Sequence, residues 1–213
     1  MRLFGQRAEA ERRAALLAAG DLTLGQTILE IEPGKGALTE ALLRLVADDG
    51  ELIVQQPTPL DAFFGQKARR RMERASNARY SHTTWEALDA ADGSVERVVW
   101  VQGPHELWFE PGSGISLGQP ATVFAEIARV LASSGKFLVV DNLAPPRVSD
   151  AQAGNLHRSD PRTIAALAQM AGLGLLRKEI EWVKSPSDPL DVPTYSRATR
   201  GAPRQWMQVW RKG

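Results

Sequence analysis

TILEIEPGKGALTE, at residues 27–40, is the stretch that decides the fold class of this 213-residue chain. Its first five residues, Thr27–Ile31, form a short apolar run, which is typical of a strand buried on both faces of a parallel sheet. A turn with Gly34 and Gly36 follows, and leucines with helical spacing come after it. This order predicts a ligand-binding corner, because glycine lets backbone N–H groups approach a ligand and a helix N-terminus attracts anions. Packing alone is the alternative reason for the two glycines.

Strands and helices alternate along the rest of the chain. Further buried strands are predicted by short apolar runs at Glu51–Gln55, Ala78–His82, Glu96–Gln102 and Lys136–Asn142. Between them, apolar residues recur at helical spacing, which predicts helices. Two final strands, Gly174–Lys184 and Arg204–Lys212, are expected to pair as an antiparallel hairpin on the sheet edge. The pattern indicates an α/β fold with a doubly wound, mostly parallel sheet of seven strands and helices on both faces.

The composition excludes several functional classes. The chain contains no cysteine, so disulfides and thiolate metal or redox sites are impossible. Lys and Arg total 26 against 25 Asp and Glu, so the net charge of +1 does not indicate nucleic acid or an anionic membrane as a partner. The one basic run, Lys67–Arg74, is expected to be a solvated helix face, with RNA or an acidic partner as the alternative. No apolar stretch approaches the ~18 residues of a membrane span, and we expect a cytoplasmic protein.

Three blocks of sequence resemble the class I S-adenosylmethionine-dependent methyltransferases. They are LEIEPGKG at 29–36, VFAEIARVLASSGKFLVVDN at 123–142 and NLHRSDPRTIAALAQMAGL at 155–173. In this order they are similar to a group of bacterial small-molecule methyltransferases in which a glycine motif is followed later by an HRxDP segment. The resemblance covers nearly the whole chain, and it implies a Rossmann-like methyltransferase sheet of seven strands.

The resemblance also implies a domain organisation and a cofactor. A single methyltransferase-like domain would span 1–213, with an N-terminal helix over 1–24, a cofactor-binding core over 25–142 and a substrate-side segment with the edge hairpin over 143–213. The cofactor would be S-adenosylmethionine. The residues implied to bind it are Glu30, Glu32, Gly34, Gly36, Gln55, Gln56, Trp85 and Gln102.

Two positions depart from the family's cofactor motifs. Glu32 stands where the family has the first loop glycine, and because it precedes Pro33 we expect an extended conformation there. A carboxylate aimed at the cofactor's own carboxylate would cost roughly 4 kcal/mol at ~4 Å with an effective dielectric constant of ~20, unless Lys35 or solvent neutralises it. Gln55 or Gln56 stands where the family has an acidic ligand to the ribose hydroxyls, and an amide lacks that charge. The departures predict that cofactor binding is weakened or lost.

Three residues are candidates for catalysis. His105 follows the fourth predicted strand, where a neutral imidazole could remove a proton from an acceptor hydroxyl or amine; a loop histidine without a role is the alternative. Asp141 ends the fifth strand and is expected to point into the same cleft, beside Asn142, where the family has histidine. His157 belongs to the HRxDP-like segment. Methyl transfer relies on positioning and proton removal, so no metal is required.

Further residues are candidates for substrate binding. Arg158 could bind a carboxylate or phosphate in a bidentate manner, or form an ion pair with Asp160 that fixes the start of a helix. Trp108 could line an aromatic pocket or an oligomer contact, and core packing is its alternative. Tyr195 is expected to close over the cleft, unless it serves packing.

These features leave two functional hypotheses open. The first is a methyltransferase that acts on a small molecule. The second is a catalytically inactive relative that serves as a partner or regulatory subunit, in a homo- or hetero-oligomer. Glu32, the glutamine pair and Asn142 favour the second hypothesis. A nicotinamide-dependent oxidoreductase is disfavoured, because the glycine turn lacks GxGxxG spacing and no acidic residue ends the second strand.

Overall fold

One sheet of seven strands organises the computed structural model, which describes residues 2–64, 66–109, 116–199 and 203–213. The strands are β1 (Thr27–Ile31), β2 (Glu51–Gln55), β3 (Ala78–Ser81), β4 (Val95–Val101), β5 (Leu131–Asn142), β6 (Leu173–Val183) and β7 (Gln205–Lys212). Their order across the sheet is β3-β2-β1-β4-β5-β7-β6. β7 pairs in an antiparallel sense with both β5 and β6, and the other neighbours pair in parallel. The predicted sheet is confirmed, with β6 at the edge and β7 inside it.

Helices cover both faces of this sheet. They are α1 (Arg2–Ala19), α2 (Thr39–Val46), α3 (Thr58–Phe64), α4 (Lys67–Met72), α5 (Pro120–Val130), α6 (Asp150–Asn155) and α7 (Pro161–Met170), with 3-10 helices at Pro104–Trp108 and Arg197–Thr199. Successive side chains of a strand point to opposite faces, so in β1 Ile28 joins one core cluster while Leu29 and Ile31 join the other. Among the helices described, none is long and apolar enough to cross a membrane.

The carboxyl ends of β1, β4 and β5 meet at one edge of the sheet. β2 lies on one side of β1 and β4 on the other, so the order of strands reverses direction at this point. Ligands bind at such reversal points in open α/β sheets. Glu32 and Gln102 follow β1 and β4 directly, and Asp141 lies at the end of β5. The fold therefore collects polar side chains from three separate strands at the position expected for a ligand.

A buried ion pair fixes the segment between α6 and α7. The guanidinium of Arg158 donates to both carboxylate oxygens of Asp188, at 2.7 and 2.9 Å, and neither side chain is accessible to solvent. Arg158 also donates to the backbone carbonyl of Leu143 at 3.0 Å. The predicted role of Arg158 in binding substrate is therefore wrong, because its donors are used inside the protein. Its alternative partner, Asp160, instead caps α7 and pairs with Arg162.

Asp188→Ala should lower the free energy of unfolding by about 3–5 kcal/mol, because it leaves the charge of Arg158 buried without a partner. Urea unfolding measures this loss. Asp191→Ala is the matched control, since Asp191 is exposed on the same connection and its removal should cost no more than about 0.5 kcal/mol. Equal losses in the two variants would show that the ion pair does not hold this segment.

Candidate active site

Two neighbouring cavities open at the carboxyl edge of the sheet. The glycine-loop cavity, of about 380 Å³, is lined among others by Glu30, Glu32, Gly34, Lys35, Gln102 and Trp182. The histidine cavity, of about 790 Å³, is lined among others by Glu32, Gln102, His105, Glu106, His157 and Tyr195. Both volumes lie in the range of small-molecule sites. Because Glu32 and Gln102 line both cavities, a group bound in one would lie next to a group bound in the other.

The two glycines of the turn have different roles. Gly34 has a φ of +54° and lines the glycine-loop cavity, and its N–H donates to Oε1 of Gln56 at 3.1 Å. Gly36 has a φ of +77°, and a Cβ added there would lie 2.8 Å from the Cα of Ala68. Glycine adopts positive φ without strain at both positions, but Gly36 is also needed for packing against α4. Gly34 thus leaves space for a ligand in the cavity, whereas Gly36 is required for close packing against α4.

Glu30, near the end of β1, is a buried carboxyl group in the glycine-loop cavity. Its Oε2 accepts a hydrogen bond from the hydroxyl of Thr39, the first residue of α2, at 2.6 Å. Burial raises the pKa of Glu30 to about 7, and the bond from Thr39 only partly opposes this effect. Glu30 therefore changes its charge near neutral pH.

Glu32 has a left-handed backbone conformation, with a φ of +54°, so the expected extended conformation is wrong. β1 ends at Ile31, and the chain turns away at Glu32 while its N–H still donates to the carbonyl of Gln55 at 3.0 Å. Gln102 and His157 also have positive φ, at +59° and +53°. Such conformations cost a non-glycine residue on the order of 1–3 kcal/mol and cluster at functional sites. All three of these residues line the histidine cavity.

The carboxyl group of Glu32 points towards the end of β4. Its Oε2 lies 3.4 Å from Nε1 of Trp100, and a Cβ added to Gly103 would lie 2.0 Å from the same oxygen. Burial raises the pKa of Glu32 well above its usual value, and the nearby carboxylate of Glu106 raises it further. This direction reduces the repulsion expected against a cofactor carboxylate, because a neutral carboxyl group does not repel it.

The two glutamines at the end of β2 hold parts of the protein together. Gln55 is fully buried; its Nε2 donates to the carbonyl of Thr84 at 2.8 Å, and its Oε1 accepts from the N–H of Asp89 at 2.9 Å. The predicted role of Gln55 as a ribose ligand is therefore wrong, because both ends of its amide are used. Gln56 holds Gly34 through Oε1, while its buried Nε2 has no hydrogen-bond partner among the described residues.

Two tryptophans that were expected to contact ligands pack in or against the core. Trp85 is fully buried, and its ring centre lies 5.0 Å from that of Trp100. Trp108 packs against the same core cluster and lines neither of the two cavities. Trp85 is therefore not placed to contact a cofactor, whereas Trp108 is only partly buried and its contact with substrate stays a prediction. Burying the large apolar ring of Trp85 in the core is strongly favourable.

Asp141, at the end of β5, holds His105 in place. Oδ1 of Asp141 lies 2.8 Å from Nδ1 of His105, and Oδ2 accepts from the backbone N–H of His105 at 3.0 Å. The same Oδ2 accepts from the hydroxyl of Ser159 at 2.5 Å. Since a carboxylate only accepts, Nδ1 of His105 carries the proton of this bond. The structure thus brings together His105 and Asp141, two of the three residues proposed for catalysis, and the third, His157, also lies against His105.

His157 and Glu106 complete a cluster around His105. Nε2 of His105 lies 3.2 Å from Nδ1 of His157, and Oε1 of Glu106 lies 3.4 and 3.3 Å from these two nitrogens. Tyr195, whose ring centre lies 5.2 Å from that of His157, is 73% exposed and forms part of the cavity wall. Sequence reasoning missed Glu106, and the only signal for it was its position beside His105.

The charges of this cluster differ from the neutral imidazole expected for His105. Burial disfavours the charged form of His105, but the carboxylates of Asp141 and Glu106 outweigh burial and raise its pKa to about 10. Burial also opposes ionisation of Glu106, yet His105 and His157 lower its pKa to about 2. At neutral pH His105 is therefore an imidazolium between two carboxylates, and it is not a proton acceptor in this state.

Comparison with known proteins identifies the fold. No protein-family model matches the chain, and no curated protein matches it. A SAM-dependent methyltransferase from Aquifex aeolicus is 14% identical with a TM-score of 0.68, over 94% of this chain and 89% of that one. A methyltransferase in complex with the Haloferax volcanii activator Trm112 is 16% identical with a TM-score of 0.65, over 99% and 93%. The [4+2]-cyclase SpnF is 14% identical with a TM-score of 0.67, over 97% and 82%.

These similarities establish a class of fold. The chain has the Rossmann-like, seven-stranded fold of the class I SAM-dependent methyltransferases. The presence of a cyclase among the matches shows that this fold hosts more than one reaction. The reaction must therefore be argued from the site.

Glu30→Gln should change how stability depends on pH. A carboxyl whose pKa is raised to about 7 in the folded state stabilises the protein below its unfolded pKa, and this contribution is lost as the pH rises through 7. The wild type should therefore lose about 2–3 kcal/mol relative to the variant between about pH 5 and pH 8. Urea unfolding at both pH values measures the difference. Glu73→Gln, at an exposed position, should keep the pH dependence of the wild type. If Glu30→Gln also keeps it, the raised pKa of Glu30 is refuted.

Proposed function

We propose that the protein is a SAM-dependent methyltransferase that acts on a small molecule bound in the histidine cavity. The observation that carries this proposal is the junction of the two cavities, which share Glu32 and Gln102 at the ends of β1 and β4. An acceptor in the histidine cavity would lie beside a cofactor in the glycine-loop cavity. Methyl transfer by direct displacement depends above all on this proximity. We also propose the bacterial group with the HRxDP segment, since HRSDP stands at 157–161.

The residues of the glycine-loop cavity fit the methionine end of the cofactor. Glu30 is placed to accept the ammonium group when ionised, and Lys35 lines the same cavity and suits the carboxylate. Gln56 is fully buried and lines neither cavity, so its unpartnered Nε2 is not placed to bind a ribose hydroxyl in this conformation. Because Gln55 supplies no acidic ribose ligand, we expect modest affinity.

When bound, the cofactor would supply an electrophilic methyl group on a sulfonium centre. The chain's own residues would hold the acceptor, exclude water and remove its proton. The side chain of His157 is 22% exposed, against 4% for His105, and Oε1 of Glu106 lies 3.3 Å from Nδ1 of His157. A carboxylate there orients the ring and stabilises the imidazolium that forms when His157 takes a proton. His105 and Asp141 are positioning residues in this scheme.

An inactive partner or regulatory subunit is the second candidate function, and Gln55 is the observation that favours it. Its amide is used entirely within the protein, which leaves this position without a ribose ligand. The methyltransferase solved with the activator Trm112 provides a precedent for a hetero-oligomer of this fold. Cofactor binding separates the two candidates.

Calorimetric titration with S-adenosylmethionine and S-adenosylhomocysteine tests the enzyme proposal. The wild-type protein should bind both with dissociation constants between about 1 μM and 1 mM. Gly34→Val should weaken binding by at least about tenfold, because the new side chain would enter the glycine-loop cavity. Absence of heat at about 1 mM cofactor, from protein with a native circular dichroism spectrum, would refute the enzyme and favour the regulatory subunit.

Gly93→Val is the matched control for this titration. Gly93 has a φ of +64°, and a Cβ there would meet no described atom closer than 4.0 Å, so its substitution carries backbone strain comparable to that of Gly34→Val. It precedes the amino end of β4, whereas the cavities lie at the carboxyl end. Both variants should lose similar stability, and only Gly34→Val should lose affinity. Equal loss of affinity would assign the effect to strain.

Glu32→Gln tests whether Glu32 is already neutral in the native protein. Because burial favours the neutral form, the variant should bind S-adenosylmethionine within about threefold of the wild type near neutral pH. A charged carboxylate facing the cofactor's carboxylate would cost roughly 4 kcal/mol, so its removal would raise affinity by about a thousandfold. Calorimetry distinguishes these outcomes directly.

A further inference from the structure

His105, Glu106 and His157 come together from two separate segments, the 3-10 helix after β4 and the turn after α6. Nε2 of His105, Oε1 of Glu106 and Nδ1 of His157 form a nearly equilateral triangle, with sides of 3.2, 3.3 and 3.4 Å. We propose that this triangle of two imidazoles and one carboxylate binds a divalent transition-metal cation such as Zn²⁺.

The triangle has the size that such a cation requires. Zn²⁺ lies about 2.1 Å from nitrogen and oxygen ligands, so three corners of a tetrahedron around it are about 3.4 Å apart. The observed sides, from 3.2 to 3.4 Å, approach this spacing closely. Two histidines and one carboxylate are also a ligand set that binds zinc or iron(II) while leaving coordination positions open. The side chains therefore need little movement to hold the ion.

The surroundings orient the triangle for metal binding. Asp141 accepts a hydrogen bond from Nδ1–H of His105, so Nε2 is the nitrogen that binds the cation, which displaces the Nε2 proton of the imidazolium. The hydroxyl of Ser159 and the backbone of His105 hold the other oxygen of Asp141, so the supporting carboxylate is itself fixed. A divalent cation would balance the buried carboxylates of Asp141 and Glu106. Buried charges are costly unless they are paired in this way.

The site opens onto space where a further ligand fits. All three residues line the histidine cavity of about 790 Å³, and three protein ligands leave at least one coordination position for a small molecule. A hydroxyl or carboxylate oxygen is the ligand class that suits this position. The inference departs from the sequence-based expectation that no metal is required.

Metal binding can be related to the proposed methyl transfer, although it does not depend on it. A cation lowers the pKa of a hydroxyl bound to it. On the proposed function, the cation and the pair of His157 with Glu106 are then two alternative means of removing the acceptor's proton. Only this role of the cation rests on the proposed function.

Titration of chelator-treated protein with Zn²⁺ near neutral pH, by calorimetry, tests the inference. The wild type should bind one Zn²⁺ per chain, and Co²⁺ should give visible absorption bands that Zn²⁺ then displaces. Glu106→Gln and His157→Ala should each weaken Zn²⁺ binding by at least about tenfold, because each removes one of three ligands. Glu106→Gln has nearly the same shape as the native residue, and circular dichroism checks that both variants are folded.

His82→Ala is the matched control. His82 is the remaining histidine of the chain, and its side chain is 41% exposed, away from the cluster. This variant should bind Zn²⁺ like the wild type. The inference is overturned if the wild type binds no Zn²⁺, if His82→Ala loses as much affinity as His157→Ala, or if Glu106→Gln and His157→Ala both bind normally.

Titration of Glu106→Gln with S-adenosylmethionine separates this inference from the proposed function. If the wild type binds the cofactor but no Zn²⁺, only the metal inference fails. If it binds Zn²⁺ but not the cofactor, only the methyltransferase proposal fails. Cofactor binding by Glu106→Gln with loss of Zn²⁺ binding is the expected result, since Glu106 lines only the histidine cavity of the two.

Discussion

The candidate site depends on the buried carboxylate of Asp141. It accepts hydrogen bonds from the N–H and Nδ1–H of His105, the hydroxyl of Ser159 and the N–H of Asn142. These groups belong to the 3-10 helix after β4, the segment before α7 and β5 itself. A buried carboxylate is costly unless its lone pairs are satisfied. The contacts that stabilise Asp141 therefore also fix three segments relative to one another at the end of a central strand.

The loops around Asp141 are held in conformations that they would not adopt alone. Glu32, Gln102 and His157 all have positive φ, which is unfavourable for residues with a Cβ. Tertiary contacts compensate this cost: Arg158, the residue directly after His157, forms a fully buried ion pair with Asp188. The segments that build the cavity walls thus depend on ion pairs and hydrogen bonds formed behind them.

The sequence predicted the elements of the fold well and the site only in part. β1 and β2 begin and end where expected, because buried parallel strands are uniformly apolar and polar or turn residues bound them. The charged partner of Arg158 is separated from it by 30 residues, and the backbone partner of Gln55 by 34. No local pattern indicates such pairings, so both residues were assigned to ligands when they serve the protein's own structure.

By itself, the sequence determined the order of strands and helices and the edge of the sheet at which polar groups collect. Each of these follows from residue types within a single segment, since burial selects apolar side chains and strand ends carry polar ones. Only the tertiary structure decided which of these polar groups are charged. Burial and Glu106 favour the neutral form of Glu32, while Asp141 and Glu106 favour the charged form of His105. Desolvation and charge interactions depend on atoms that folding brings together from distant segments.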